Sequence, residues 1–155
     1  MKINEEEFAN HILKQGPNTK IYFGADSERL LVDERWVVDY LLVAIVHSEG
    51  KHGGKVFGEV HREYDYDKVL SKPKLRLMTE VYKISELFLR LAPLCNDFDI
   101  EVHLDLNPDI KFGSSCAVKE AIGYIRGTCN MTPICKPKSW AASNVADALK
   151  RIRKD

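Results

Sequence analysis

Two short apolar segments of this chain each run into an aspartate at the same depth, and that coincidence narrows the possible folds most. From Ile100 to Asn107, the residues Ile100, Val102, Leu104 and Leu106 alternate with Glu101, His103 and Asp105. This is the period-two pattern of a strand. Asn107-Pro108 closes it, because a proline has no ladder donor and restricts the residue before it. The segment Ile21–Asp26, Ile-Tyr-Phe-Gly-Ala-Asp, repeats the arrangement, its aspartate again five residues after the opening isoleucine. A carboxylate near the end of an apolar strand needs water, a cation or a metal to offset its desolvation.

The rest of the chain supplies elements to set these strands side by side. Asn4–Lys14 has the spacing of a short amphipathic helix, with Phe8, Ile12 and Leu13 on one side and Asn4 as cap. Gln15-Gly16-Pro17-Asn18 ends it. The first strand is expected over Lys20–Asp26, with Ser27–Arg29 and Asp33-Glu34 as punctuation. A second strand, Trp36–His47, has the Val/Ile/Leu content of one buried on both faces. A loop from Ser48 to Gly54 leads to a third strand, Lys55–Arg62, so the three make an antiparallel meander. Pro73 suits the first turn of a helix reaching Leu91, with an apolar stripe of Leu77, Met78, Val81, Ile84, Leu87, Phe88 and Leu91. Glu80 borders that stripe. After the strand at Ile100, Ser114 or Ser115 caps a helix carrying Val118, Ile122 and Ile125, with Gly127 as its stop. Met131–Cys135 reads as a short fifth strand, and Ser139 caps a final helix from Trp140 to about Arg153.

This order, β-β-β-α-β-α-β-α behind an N-terminal helix, predicts one α/β domain over residues 1–155, with residues 1–18 as the N-terminal helix and linker. At 155 residues such a domain buries roughly 70% of its unfolded surface. The helix between the third and fourth strands lets the fourth lie parallel beside the first by a right-handed crossover. The expected sheet is five-stranded and mixed, in order 3-2-1-4-5, flanked by helices. Asp26 and Asp105 then meet at its carboxyl edge, where α/β ligand sites open.

Composition excludes some alternatives. No long apolar run is available for a membrane span, and the acidic start, Glu5-Glu6-Glu7, is not a signal peptide. A cytoplasmic location is expected. Cys95, Cys116, Cys129 and Cys135 lack Cys-x-x-Cys spacing and read as reduced thiols rather than a disulfide framework or zinc site. Formal net charge is zero, which argues against coating nucleic acid by bulk charge but permits a local basic groove. Lys136, Lys138, Lys150, Arg151, Arg153 and Lys154 cluster near the C-terminus, and Lys68, Lys72, Lys74 and Arg76 lie around a helix start.

Two aspartates one strand spacing apart, roughly 5 Å, repel unless a cation neutralises them. Oxygen-only sets select hard ions, Mg²⁺ or Mn²⁺. Glu80 and Asp147 are the natural further ligands, Asp147 sharing a polar helix face with Ser143 and Asn144. Four carboxylates can hold two ions, the arrangement used in phosphodiester cleavage. Plainer readings compete. Glu80 would pair with Lys83 or Lys74, Asp147 with Lys150 or Arg151, and Asp26 would only start a turn. His103 shares the strand parity of Asp105 and is either a proton shuttle or a hydrogen-bonded core histidine. Lys136 and Lys138 are the cations best placed to contact phosphate.

The motifs Gly24-Ala25-Asp26-Ser27, His103-Leu104-Asp105 and Lys136-Pro137-Lys138-Ser139-Trp140-Ala141-Ala142-Ser143-Asn144-Val145-Ala146-Asp147 resemble the YkuK-type ribonuclease H-like family. The resemblance covers most of the chain. It implies the ribonuclease H fold and a nucleic-acid nuclease using two Mg²⁺ or Mn²⁺ ions, with Asp26, Glu80, Asp105 and Asp147 as catalytic ligands. Ser27, Lys136, Lys138, Ser143 and Asn144 would face the substrate. Two departures from the family's Gly-Thr-Asp-Ser-Gln pattern bear on activity. Ala25 removes a hydroxyl beside the site and Glu28 adds negative charge, which keeps open a non-catalytic module binding nucleic acid or protein.

Overall fold

The structure, a computed structural model, describes residues 1–48, 54–65, 74–106, 117–142 and 149. Strand β1 (Lys20–Val32) and strand β2 (Arg35–His47) form one long antiparallel hairpin in unbroken register from Lys20↔His47 to Val32↔Arg35. Its two-residue loop, Asp33-Glu34, has φ of 48° and 65°. Positive φ at both central positions is what a hairpin turn matched to the strand twist requires. β1 therefore does not stop at Asp26, as the polar run Ser27–Arg29 suggests. The ladder to β2 continues, and polar side chains find partners beside it: Ser27 with Glu80, and Arg29 with Asp65 and over the Trp36 ring.

Strand β3 (Lys55–Tyr64) pairs antiparallel with β2, and strand β4 (Asp99–Leu104) pairs parallel with β1. The sheet is mixed and four-stranded, in order β3-β2-β1-β4, rather than five-stranded. The expected fifth strand at Met131–Cys135 is a single parallel bridge, Ile134 to His103. Ile134 N–H donates to Val102 O at 2.8 Å and Leu104 N–H donates to Ile134 O at 2.9 Å. Pro133 and Pro137 on either side have no N–H to extend the ladder.

Helix α1 (Glu5–Leu13) is capped by the Asn4 side chain, which accepts from Glu7 N–H at 3.0 Å. Phe8 and Ile12 are buried, whereas Leu13 is exposed. Helix α2 (Lys74–Leu91) buries its whole predicted stripe, and Glu80 with it. A fully buried Leu, Ile or Phe contributes roughly 1.5–3 kcal/mol against about 1 kcal/mol for a cap, so packing rather than end chemistry holds α2. A 3₁₀ turn (Ala92–Cys95) leads into β4. Helix α3 (Val118–Cys129) runs through Gly127 and ends at Asn130, a left-handed cap with φ of 55°. The expected caps Ser114 and Ser115 lie outside the described residues.

Two apolar layers cover the sheet. One face carries α1, α2 and α3 over Phe23, Ile21, Leu42 and Val102. The other carries Ala141 and Leu149 over Leu41, Val43 and Ile45. β2, between them, is buried on both faces from Val37 to Val46. No helix among the described residues is long and apolar enough to cross a membrane.

The N-terminal segment is strapped to β3 by Glu59, which is fully buried. Its carboxylate accepts from Ile3 N–H at 3.2 Å and pairs with His61 Nε2 at 2.5 Å and with the Arg90 guanidinium. Burial pushes this carboxyl's pKa up, but His61, Arg90 and the Ile3 N–H outweigh it and hold it below the ordinary value. A carboxyl held low in the folded state contributes stability above its unfolded pKa, and that contribution is lost as pH falls through the folded value. Glu59→Gln is expected to cost about 1.5–3 kcal/mol near pH 7. In thermal melts from pH 7 to pH 3, the gap to the wild type should close on the acid side; a gap constant with pH would contradict the assignment.

Candidate active site at the carboxyl edge of the sheet

The parallel register of β1 and β4, from Lys20↔Asp99 to Ala25↔Leu104, brings Asp26 and Asp105 off adjacent strands at matched depth. The two differ in backbone setting. Asp26 stays within β1, paired with Leu41 of β2, whereas Asp105 falls one residue past the end of β4 rather than within an extended strand. Asp26 is 9% exposed, and its Oδ1 accepts from Ser27 N–H at 2.8 Å.

Glu80 reaches the same place from α2. It is 5% exposed, and its Oε2 accepts the Ser27 hydroxyl at 3.1 Å. Neither alternative lysine takes it: Lys83 pairs with Glu63 and Lys74 with Glu120. Burial pushes the Glu80 carboxyl well above its ordinary pKa, and the negative charges of Asp26 and Asp105 push it further. The Ser27 hydroxyl and Arg76 only partly oppose this. Three acids distant in sequence thus share one electrostatic locale.

Lys136 Nζ lies 2.7 Å from Asp105 Oδ1, so the lysine expected on phosphate is engaged with an acid. That oxygen is buried and, among the described residues, accepts no aligned hydrogen bond. Lys138 is exposed. Ser143, Asn144 and Asp147 lie outside the described residues, as do Lys68 and Lys72 of the second basic cluster.

The donor chemistry fits a hard divalent cation. Glu80 is a buried carboxylate pressed by two like charges, and Asp105 Oδ1 is buried with only an ammonium against it. Oxygen donors in such a setting are what Mg²⁺ and Mn²⁺ take. Among the described residues no three His, Cys, Asp or Glu side chains close into a group that could hold an ion. Two of the acids are turned instead towards Ser27 and Lys136.

His103 is 1% exposed, and both ring nitrogens are engaged. Nε2 lies 3.0 Å from Glu101 Oε2, and Nδ1 accepts from Ala141 N–H at 3.2 Å. Burial lowers its pKa, outweighing the Glu101 carboxylate, which raises it. Two further residues contribute on this sheet face. Glu101, two residues before His103, points the same way by strand parity. Gly24 is the other: a Cβ there would stand 2.9 Å from Ala141 C, Ala141 O and Ala142 N. A glycine within a strand is the signal of such a close backbone approach.

A protein-family profile described as Ribonuclease H-like matches residues 6–151. No curated protein and no solved structure gives a significant match.

Proposed function

The chain belongs to the ribonuclease H-like family, and on that premise we propose that it is a metal-dependent nuclease hydrolysing phosphodiester bonds in nucleic acid. The observation that carries the reading is Glu80, buried on α2, bonded to Ser27 beside Asp26 and subject to the repulsion of Asp26 and Asp105. A glutamate is rarely buried unless paired, and here the larger charge effects on it are repulsive. Asp26, Glu80 and Asp105 would hold Mg²⁺ or Mn²⁺, with Asp147 as the fourth ligand proposed from sequence. When bound, two such ions would activate the attacking water and neutralise charge on the leaving 3′ oxygen.

The chain's own residues prepare that chemistry. Ser27 fixes two acids at once, through its backbone N–H to Asp26 and its hydroxyl to Glu80. Lys136 is paired with Asp105; with an ion held at the acids, its charge would be available to a substrate phosphate. The exposed Lys138 gives the same approach a second positive charge.

Two observations favour a second reading, a non-catalytic ribonuclease H-like module. Lys136 already neutralises Asp105, and Glu28 adds negative charge two residues from Asp26. A Mn²⁺-supplemented cleavage panel over single-stranded, duplex, hybrid and branched substrates separates the two. The nuclease reading expects cleavage of at least one substrate, abolished by EDTA. It also expects a Mn²⁺-dependent rise in melting temperature equivalent to about 2.7 kcal/mol at a hundredfold excess over Kd. Binding without cleavage across the panel, and no Mn²⁺ shift, would leave the module reading.

A further inference from the structure

The turn that follows the Ile134 bridge is fastened at two ends, first to the segment just past β4 and then to the sheet itself. Upstream, Lys136 N–H donates to Leu106 O at 2.9 Å. From there the backbone hydrogen bonds are local, Lys138 N–H to Cys135 O and Ala142 N–H to Ser139 O. At the downstream end the Ala141 N–H crosses to the sheet and donates to His103 Nδ1. A nitrogen that accepts carries no proton, so the imidazole proton sits on Nε2 and is donated to Glu101. Glu101 is itself fixed by Lys20, whose Nζ lies 3.1 Å from Oε1. The carboxylate thereby selects the tautomer that leaves Nδ1 free to accept.

Packing supports the same arrangement. Tyr22 and Trp140 close on the imidazole edge-on, with ring centroids 5.3 Å and 5.7 Å away. Gly24, opposite His103 in the register, leaves the space that the Ala141 backbone fills. With both nitrogens occupied and the ring buried, His103 has no free position from which to exchange a proton with a substrate.

We propose that His103 is a positioning residue rather than a proton shuttle: its Nδ1 seats the Trp140–Ala142 turn against the sheet and so sets the Lys136 turn relative to Asp105. The consequence for cleavage rests on the nuclease reading, whereas the seating does not. The chain contains two tryptophans, Trp36 and Trp140. A Trp36→Phe background, altered only at an exposed stacking position, leaves Trp140 as a reporter of the turn.

In that background His103→Leu keeps an apolar side chain of similar bulk but removes the acceptor. Its Trp140 emission should shift to the red and become more accessible to acrylamide. His103→Asn places an amide oxygen where Nδ1 stands and should return both signals to near wild type. Where cleavage is measurable, His103→Leu should lower kcat by about 10-fold to 10²-fold, the scale of a small misplacement, with His103→Asn rescuing it. Should His103→Leu not fold, His103→Gln, whose amide stands one methylene too far out, takes its place. Unchanged Trp140 emission in the folded variant, or an asparagine no better than leucine, overturns the proposal. A wild type that cleaves nothing would instead remove the nuclease reading, and the Trp140 signals would still decide the seating.

Discussion

Asp26→Asn and Asp105→Asn are each expected to lower Mn²⁺-supported cleavage by about 10³-fold while leaving the fold intact. The magnitude follows from removing several kcal/mol of charge stabilisation at about 1.4 kcal/mol per factor of ten. Asparagine is nearly isosteric, and at position 26 its amide oxygen can still accept the Ser27 N–H that Asp26 Oδ1 now accepts. At position 105 the loss is an ion pair with the half-exposed Lys136, a contact of little worth to stability. Each substitution also removes a negative charge that presses on the buried Glu80. The melting temperature without metal should therefore hold or rise, while the Mn²⁺-dependent rise disappears. Circular dichroism melts with and without Mn²⁺, beside a cleavage time course, read all of this. Undiminished cleavage in both variants would end the assignment of these aspartates.

The second large effect is expected at Gly24, where the cause is space rather than charge. A Cβ at Gly24 would stand 2.9 Å from three backbone atoms of Ala141 and Ala142, and backbone cannot rotate away as a side-chain tip can. Gly24→Ala should cost about 1–3 kcal/mol by overpacking, a fall in Tm of roughly 2–12 °C for a domain of this size. Gly24→Val should cost more. Because the strain falls on the Ala141 backbone, the same variant should expose Trp140, 37% exposed in the native fold, still further. Gly123→Ala is the control. It lies in α3 with nothing within 4 Å of its Cβ, and should gain up to about 1 kcal/mol of helix propensity. Equal melting temperatures for Gly24→Ala and the wild type would mean that the turn does not bear on the strand.

These two sites mark how far the sequence could be read. Period-two alternation placed both aspartate strands, and their equal offsets anticipated the parallel register that sets Asp26 beside the end of β4. The α2 stripe was legible because its apolar residues recur at helical spacing over many turns. Boundaries were harder. Ser27, Glu28 and Arg29 have turn-forming composition, yet cross-strand pairing with β2 keeps them extended, a partner invisible to local pattern. Met131–Cys135 has strand composition, but Pro133 within it and Pro137 beyond it reduce it to one bridge. Gly127 looked like a helix stop, and Asn130 serves instead because it too tolerates a left-handed backbone.

At the site, charge type was legible and pairing was not. Asp26 and Asp105 act electrostatically on Glu80, but the three do not close into a group that could hold an ion, and the fourth predicted acid, Asp147, lies outside the described residues. That Ser27 would bind Glu80, and Lys136 Asp105, depends on distances between elements that sequence spacing does not encode. His103 shows the same limit, since alternation gave its direction but not the Ala141 N–H waiting there.

The parallel pairing of β1 with β4 also orders events in time. Asp26 is synthesised before the strand that brings Asp105 beside it, which comes only after β2, β3 and α2. A parallel neighbour cannot be supplied by a tight hairpin; it must wait for the crossover to be laid down. A nascent chain that has not yet released β4 can form the β1–β2 hairpin, yet cannot bring Asp105 to the edge where Asp26 lies. The connectivity thus withholds the proposed hydrolytic centre from a ribosome-bound intermediate, surrounded as it is by RNA, until most of the domain has emerged.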